Sequence, residues 1–200
     1  MNKRNQLRLL TLGGALAPLS AMAHTGHEVA GFFQGLVHPL SGADHLLVML
    51  AVGLLAVGQT GEKARDMTRR TRIAVPAAFL LAMVAGTLLA IAGLAVPFVE
   101  QGIVVSVIAA GGLLALAVRF SLVAGVAVAS VFALFHGLAH GAELPLAAQP
   151  VAYIAGFLIT TSALLVAGTR LGQLADSYSM GLISRLAGVA VAAFGVLAAV

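Results

Sequence analysis

Long apolar runs alternate with short polar segments along the whole chain. A run of roughly 20 apolar residues is enough for an α-helix to cross the hydrocarbon core of a bilayer. The runs that approach this length cover residues 42–58, 73–96, 102–118, 121–138, 151–169 and 181–200. The pattern predicts an all-α, polytopic membrane protein with about six transmembrane helices in a single domain, residues 24–200.

The first of these helices is predicted to be broken. An apolar approach at residues 29–38 precedes it, and the stretch 29–58 would measure about 45 Å as one straight helix, against a hydrocarbon core of about 30 Å. Pro39 lacks the amide that a continuing helix needs, and Ser41-Gly42 adds a second weak point. We expect the first piece to be re-entrant or interfacial, because broken helices at membrane depth line cavities in transporters.

The first 23 residues have the pattern of a signal peptide. Basic residues precede an apolar stretch at residues 9–19, and Ala21-Met22-Ala23 fits the small-x-small cleavage pattern. An uncleaved first span is the alternative, but this stretch is short for a crossing. We predict a signal peptide at residues 1–23 and a mature N-terminus at His24.

The basic residues predict the orientation of the chain. Of the eleven Lys and Arg residues, three lie in the leader and eight in the remaining chain. With the mature N-terminus outside, all eight fall on the cytoplasmic side, as the positive-inside rule requires. They are Lys63, Arg65, Arg69, Arg70, Arg72, Arg119, Arg170 and Arg185. We predict an N-out, C-out protein of the bacterial cytoplasmic (inner) membrane, with its mature N-terminus in the periplasm.

Composition excludes several other classes. A mean hydropathy of +1.05 with only 9% charged residues lies far from a soluble domain, so the lipid bilayer is the expected surrounding. The pI of 10.4 comes from short loops rather than from an extended basic surface, so we expect no nucleic-acid partner. Cysteine is absent, which excludes disulfides, thiolate ligands and iron–sulfur clusters.

Two groups of potential metal ligands interrupt the apolar helices. Ionisable side chains are costly in hydrocarbon and therefore point to a function. The first group is His38, Asp44 and His45; the second is His136, His140 and Glu143. The second group has i, i+4, i+7 spacing and shares one face if the helix continues through Glu143.

The predicted topology brings both groups to the exterior side, where they form a candidate metal site. Imidazole and carboxylate donors suit Ni²⁺ or Co²⁺ and equally Zn²⁺, so ligand type does not choose among these ions. His24 and His27 near the mature N-terminus are weaker candidates, since a mobile tail is equally expected there. No prosthetic group is predicted.

The same histidines are compatible with two functions other than metal transport. His136 and His140 would also suit an intramembrane zinc-dependent hydrolase, although the glutamate base of an H-E-x-x-H motif is missing. Bis-histidine ligation of haem, with an electron-transfer role, is the other. No nucleotide-binding motif is present to support direct ATP hydrolysis.

Smaller polar residues and glycines are given structural interpretations. Thr160, Thr161 and Ser162 could line a permeation path, but bonds to carbonyls of their own helix are the commoner arrangement. Met49, one turn beyond His45, could offer a thioether, although methionine in an apolar span usually packs. Glycines such as Gly86 and Gly93 are interpreted as close helix packing.

The two ligand groups lie in motifs that resemble those of the HupE/UreJ family, membrane proteins accessory to hydrogenase and urease. The motifs are HPLSGADHLLVMLAVG at residues 38–53 and FHGLAHGAE at residues 135–143. The resemblance implies secondary or facilitated uptake of nickel, or cobalt, for metalloenzymes, with the six residues of the two groups important for transport. The resemblance leaves open whether the protein forms a homo-oligomer and whether it passes the ion to a cytoplasmic metallochaperone.

Overall fold

The computed structural model describes residues 27–57, 65–144, 149–178 and 181–199. Within these ranges the chain is made of helices and short connections, with no strand, which confirms the predicted all-α class. The predicted signal peptide and His24 lie outside the described residues.

Seven helices make up the described part of the chain. Their bounds are α1 His27–Ser41, α2 Ala43–Leu55, α3 Arg65–Ile91, α4 Val99–Ala115, α5 Leu122–Ala142, α6 Pro150–Ser177 and α7 Gly181–Ala198.

The first predicted span is indeed a broken helix. Helices α1 and α2 meet at an angle of 77°, and the direction changes at Gly42, whose φ of −100° and ψ of 119° are extended. Pro39 lies inside the last turn of α1, three residues before the break. A proline there forgoes one helical hydrogen bond without ending the helix, so the second of the two predicted weak points is the one that turns the chain.

Four of the described helices are long and apolar enough to cross a membrane: Arg69–Ile91, Leu122–Ala142, Pro150–Asp176 and Gly181–Ala198. The bent pair α1 and α2 makes five if it is counted as one span. Helix α4 is also apolar but has only 17 residues. The chain is therefore a multi-pass helical membrane protein with four to five candidate spans by this criterion.

Glycines allow neighbouring helices to pack backbone against backbone. A Cβ atom on Gly137 of α5 would collide with the Met83 carbonyl of α3, and one on Gly156 of α6 with the Phe32 carbonyl of α1. The α2–α6 and α4–α7 contacts have the same character, at Gly53 and Gly168 and at Gly111 and Gly188. Small residues at such contacts permit the close approach on which helix association in lipid depends.

Two glycines do not follow the packing interpretation. Gly93 has a φ of +94° in the turn just after α3 ends, and a Cβ there would meet nothing within 4 Å. Glycine tolerates this left-handed conformation without steric cost, which explains its place in the turn. Gly112 of α4 also faces open space.

The bundle has two chemically distinct ends. We call the end that contains Gly42, the C-terminus of α5 and the N-terminus of α6 the histidine end. The opposite end, with the start of α3, Arg119 and Arg170, is the arginine end. Helices α2 and α6 run in parallel from the first to the second, because His140 contacts both His45 and Phe157 at the histidine end and Gly172 meets Val57 near the arginine end. Helices α3 and α5 run the other way.

Candidate metal centre

The break between α1 and α2 brings the first ligand group together. His38 lies in the last turn of α1, and Asp44 and His45 lie in the first turn of α2. A Cβ atom on Gly42 would stand 2.7 Å from Asp44 Oδ1 and 3.0 Å from His45 Nδ1. Glycine at the break therefore leaves the space that the carboxylate and the imidazole occupy.

The second ligand group is carried by the C-terminal turns of α5. His136 and His140 are one turn apart and fully buried at 0% exposure. The helix ends at Ala142, and Glu143 is its C-cap, with its amide donating to the Ala139 carbonyl at 2.9 Å. Glu143 therefore lies just beyond the last helical residue, and its side chain is beside His38.

The two groups meet as a cluster of four imidazoles. The ring centroids of His38 and His140 are 4.7 Å apart, and those of His45 and His140 are 4.8 Å apart. His136 lies 5.0 Å from His45 on the same measure. Four rings from three helices thus share one small volume at the histidine end; we call them the histidine cluster.

Three of these rings are arranged to share a metal ion. One nitrogen from each of His38, His45 and His140 can be chosen so that all three lie within 4.8 Å of one another. Metal–nitrogen bonds of about 2.0–2.1 Å place donors on one ion within about 4 Å of each other. The observed spacing is therefore slightly wider than that of donors bound to one ion.

Two carboxylates flank the histidine cluster. Asp44 Oδ1 lies 3.0 Å from His45 Nδ1, and Glu143 Oε2 lies 3.4 Å from His38 Nε2. Each carboxylate can serve as a direct oxygen donor or orient its neighbouring imidazole. Together they provide the negative charge that a divalent cation needs in a desolvated site.

The buried rings retain free nitrogen lone pairs. His136 Nδ1 donates to the Phe132 carbonyl at 2.9 Å, which fixes the tautomer and leaves Nε2 as the acceptor nitrogen of the neutral ring. Nε2 of His136, Nε2 of His45 and both ring nitrogens of His140 are buried without a hydrogen-bond partner among the described residues. Such nitrogens are costly to bury unsatisfied, and metal coordination would satisfy one nitrogen of each ring.

Helix α6 supplies aromatic walls that were not singled out from the sequence. The Phe157 ring stacks on His140 with centroids 4.9 Å apart and planes 10° apart, while the Tyr153 ring lies 6.0 Å from His38. Both side chains are buried. Their i, i+4 spacing on the fifth apolar run was the signal that this face of α6 points into the bundle.

Burial increases from the histidine end inward. The side chains of Glu143, Asp44 and His38 are 50%, 31% and 27% exposed. His45 is 8% exposed, and His140 is fully buried. An ion arriving from this end therefore meets the carboxylates first and the buried imidazoles afterwards.

The structure brings all six residues of the two ligand groups together. His27 is the first residue of α1, eleven residues before His38, and its side chain lies outside the described part of the chain, as does His24. The arrangement does not fit haem, because a porphyrin plane has to lie between its two axial imidazoles and these rings contact one another directly.

Fold and site together define a multi-pass helical membrane protein with a candidate site for a divalent cation at one end of its bundle. Comparison with known proteins narrows this class. The sequence model described as HupE / UreJ protein matches residues 11–198, and the chain belongs to this family.

A curated relative supports the same assignment. The chain is 40% identical over 185 residues to Protein HupE of Rhizobium leguminosarum bv. viciae, covering 92% of this chain and 93% of that protein. No solved structure matches. Members of the family are membrane transporters and accessory proteins rather than enzymes, so the zinc-hydrolase interpretation is set aside.

Proposed function

We propose that this protein takes up divalent nickel, or cobalt, across the cytoplasmic membrane by secondary or facilitated transport, and so supplies metalloenzymes such as hydrogenase or urease. The observation that carries the proposal is the histidine cluster with its two flanking carboxylates inside a membrane bundle. Family membership supports a transport accessory role for nickel or cobalt.

Charge and burial give a physical order of events. Glu143 and Asp44, at the open side of the cluster, attract the hydrated cation. His38, His45 and His140 then replace water ligands as the ion moves into the bundle. Imidazole nitrogen coordinates nickel, cobalt and zinc alike. Family membership, rather than ligand chemistry, therefore favours nickel or cobalt over zinc.

The proposal includes six spans, N-out and C-out. Helix α4 provides the additional span, since its 17 residues extend about 26 Å, near the lower limit for a crossing. Residues 1–23 act as a signal peptide, and the histidine end faces the periplasm. The arginine end then faces the cytoplasm, in agreement with the positive-inside rule.

Partners follow from the direction of transport. The substrate is the divalent ion, and the surrounding solvent is the lipid bilayer. Release at the arginine end would deliver the ion to a cytoplasmic metallochaperone, and a homo-oligomer is compatible with the apolar outer faces of the helices. No prosthetic group and no nucleic acid are involved.

The proposal is tested by radiolabelled nickel uptake in cells that express Asp44→Asn or Asp176→Asn at matched membrane abundance. The first substitution removes a charge 3.0 Å from His45 in the cluster. The second removes an exposed carboxylate in the last turn of α6, at the arginine end. We expect Asp44→Asn to reduce nickel uptake by about tenfold or more, the scale of losing a residue that supports a metal ligand, and Asp176→Asn to match the wild type.

Competing ions rank the substrates in the same assay. An excess of unlabelled cobalt should reduce the uptake of labelled nickel more strongly than the same excess of zinc. Equal accumulation in wild-type, Asp44→Asn and empty-vector cells would overturn nickel transport as the function.

A further inference from the structure

Two buried polar atoms lie one turn further from the histidine end than the His140 ring and have no hydrogen-bond partner among the described residues. They are His136 Nε2 and Thr161 Oγ1, and both residues are fully buried. An unsatisfied buried donor or acceptor costs about 1–3 kcal/mol, so each such group in a folded protein calls for an explanation. A ligand bound inward of the His38, His45 and His140 rings would provide the missing partner.

Thr161 differs from the other hydroxyls of the bundle. Thr87, Ser106 and Thr169 each donate to a carbonyl three or four residues back in their own helix, at 2.9, 2.6 and 2.8 Å. Thr160 donates to the Leu36 carbonyl of α1 at 2.6 Å. Thr161 makes neither kind of bond and keeps its hydroxyl available in the interior.

The register of α6 places Thr161 one turn inward of the cluster. Phe157, four residues before it, stacks on His140. Four residues of α-helix advance about 6 Å toward the arginine end. Leu165, one turn further, packs its carbonyl against Gly53 of α2. Thr161 therefore lies between the levels of His140 and Gly53.

Helices α2 and α5 each place a buried donor atom one turn inward of a cluster histidine. Met49 follows His45 by one turn, precedes Gly53 by one turn and is fully buried. His136 precedes His140 by one turn on α5, which runs in the opposite direction, so it too lies inward. By helical register, a thioether sulfur, an imidazole nitrogen and a hydroxyl oxygen thus each lie one turn inward of His45, His140 and Phe157 respectively.

We propose that His136 Nε2, Thr161 Oγ1 and Met49 Sδ form a second, inner position for the transported divalent transition-metal ion. This inference rests on the proposed function and extends it along the path. None of these three residues is a carboxylate, so they would hold a divalent ion less tightly than the outer position, which His38, His45 and His140 form beside Asp44 and Glu143. Transport requires inner sites that are weak enough for the ion to leave, and an imidazole and a thioether favour nickel over hard ions such as Mg²⁺.

The test compares Thr161→Val with Thr169→Val. The first removes the unpartnered hydroxyl and keeps the side-chain shape; the second removes a hydroxyl that only bonds its own helix at 2.8 Å. We measure the initial rate of radiolabelled nickel uptake in cells and the equilibrium binding of nickel to purified protein. Thr161→Val should slow uptake by about tenfold and remove a second, weaker binding phase while the tighter phase stays unchanged. Thr169→Val should retain both phases and the wild-type rate.

Other results would overturn the inner position. Wild-type uptake and both binding phases in Thr161→Val would show that the hydroxyl takes no part. Loss of the tighter phase together with a lower melting temperature would assign it a structural role. Thr161→Ser restores the hydroxyl and should regain uptake; if it stays as slow as Thr161→Val, the inference fails.

The two proposals fail in distinguishable ways. Absence of nickel uptake by the wild type refutes the proposed function. The binding titration still decides the inner position in that case, through the presence or absence of a second phase that depends on Thr161.

Discussion

Single side chains set the chemistry of the cluster through the atoms that they leave free. The bond from His136 Nδ1 to the Phe132 carbonyl commits one nitrogen and aims the other into the bundle. Stacking on Phe157 restricts the ring of His140, which has no hydrogen bond to any described residue. A ring held in advance loses less conformational freedom on binding, so these contacts favour the ion-binding geometry.

Gly42 is the residue whose replacement should most directly disturb the outer position. In Gly42→Ala the new methyl group would lie 2.7 Å from Asp44 Oδ1 and 3.0 Å from His45 Nδ1, so one of the two side chains has to move. We expect nickel affinity to fall by about tenfold or more, with normal membrane insertion, because a displaced supporting carboxylate has that effect. Equilibrium nickel binding by purified protein measures it.

Gly181→Ala is the matched control for Gly42→Ala. Gly181 also lies at the start of a helix, and a Cβ there meets nothing within 4 Å. Its affinity should equal that of the wild type. If Gly42→Ala binds nickel as tightly as Gly181→Ala, the pairing of Asp44 with His45 does not contribute to the site.

At the scale of whole elements, the sequence predicted the helices better than their ends and faces. Apolar length is enough to place a helix, and the helical class and the broken first helix are confirmed. The turning point was less certain, because Pro39 and Gly42 both break helices locally and only tertiary packing decides between them. Thr160 was expected to bond its own helix, but it bonds α1 instead.

The candidate site shows the same limit. Helical spacing and family motifs were enough to select the six candidate ligand residues, which lie near one another in the structure. The spacing of Tyr153 and Phe157 indicates that they share an inward face of α6, but not that Phe157 stacks on His140, because that contact depends on how α6 packs against α5. Tertiary packing decides which helices contact one another when they are far apart in sequence, and a single sequence does not reveal that packing.

The contact between α3 and α5 positions the buried histidines and should be sensitive to one methyl group. In Gly137→Ala the added Cβ collides with the Met83 carbonyl, which as backbone has little freedom to move. We expect a loss of about 1–3 kcal/mol in stability, because overpacking forces the two helices apart. The melting temperature of detergent-purified protein should fall, together with nickel affinity.

Gly112→Ala is the control for the α3–α5 contact. Gly112 lies within the apolar helix α4, and its Cβ would face open space. Alanine there should leave the melting temperature unchanged or raise it, since glycine is the poorer helix former. Equal melting temperatures for Gly137→Ala and the wild type would show that the α3–α5 contact is looser than the structure indicates.

For the molecule as a whole, the separation of its two ends links structure to direction. Carboxylates and imidazoles gather at one end, and Arg119 and Arg170 mark the other. A cation approaching the histidine end meets negative charge, whereas the arginine end repels it. If the arginine end faces the cytoplasm, the same charge pattern that orients the chain during insertion also favours capture of the ion from outside.

The absence of cysteine makes this orientation directly measurable. The chain contains no native thiol, so a single introduced cysteine is the only target of a membrane-impermeant maleimide. Gln149→Cys lies at the histidine end, beside the start of α6, and Arg185→Cys lies on α7 in the second turn from its start at Gly181; both native residues are exposed. We expect Gln149→Cys to react when the reagent reaches only the periplasm, and Arg185→Cys to react only after the membrane is permeabilised. Labelling of Arg185→Cys in sealed cells, with protection of Gln149→Cys, would place the cluster on the cytoplasmic side, where it would load an ion for export rather than uptake.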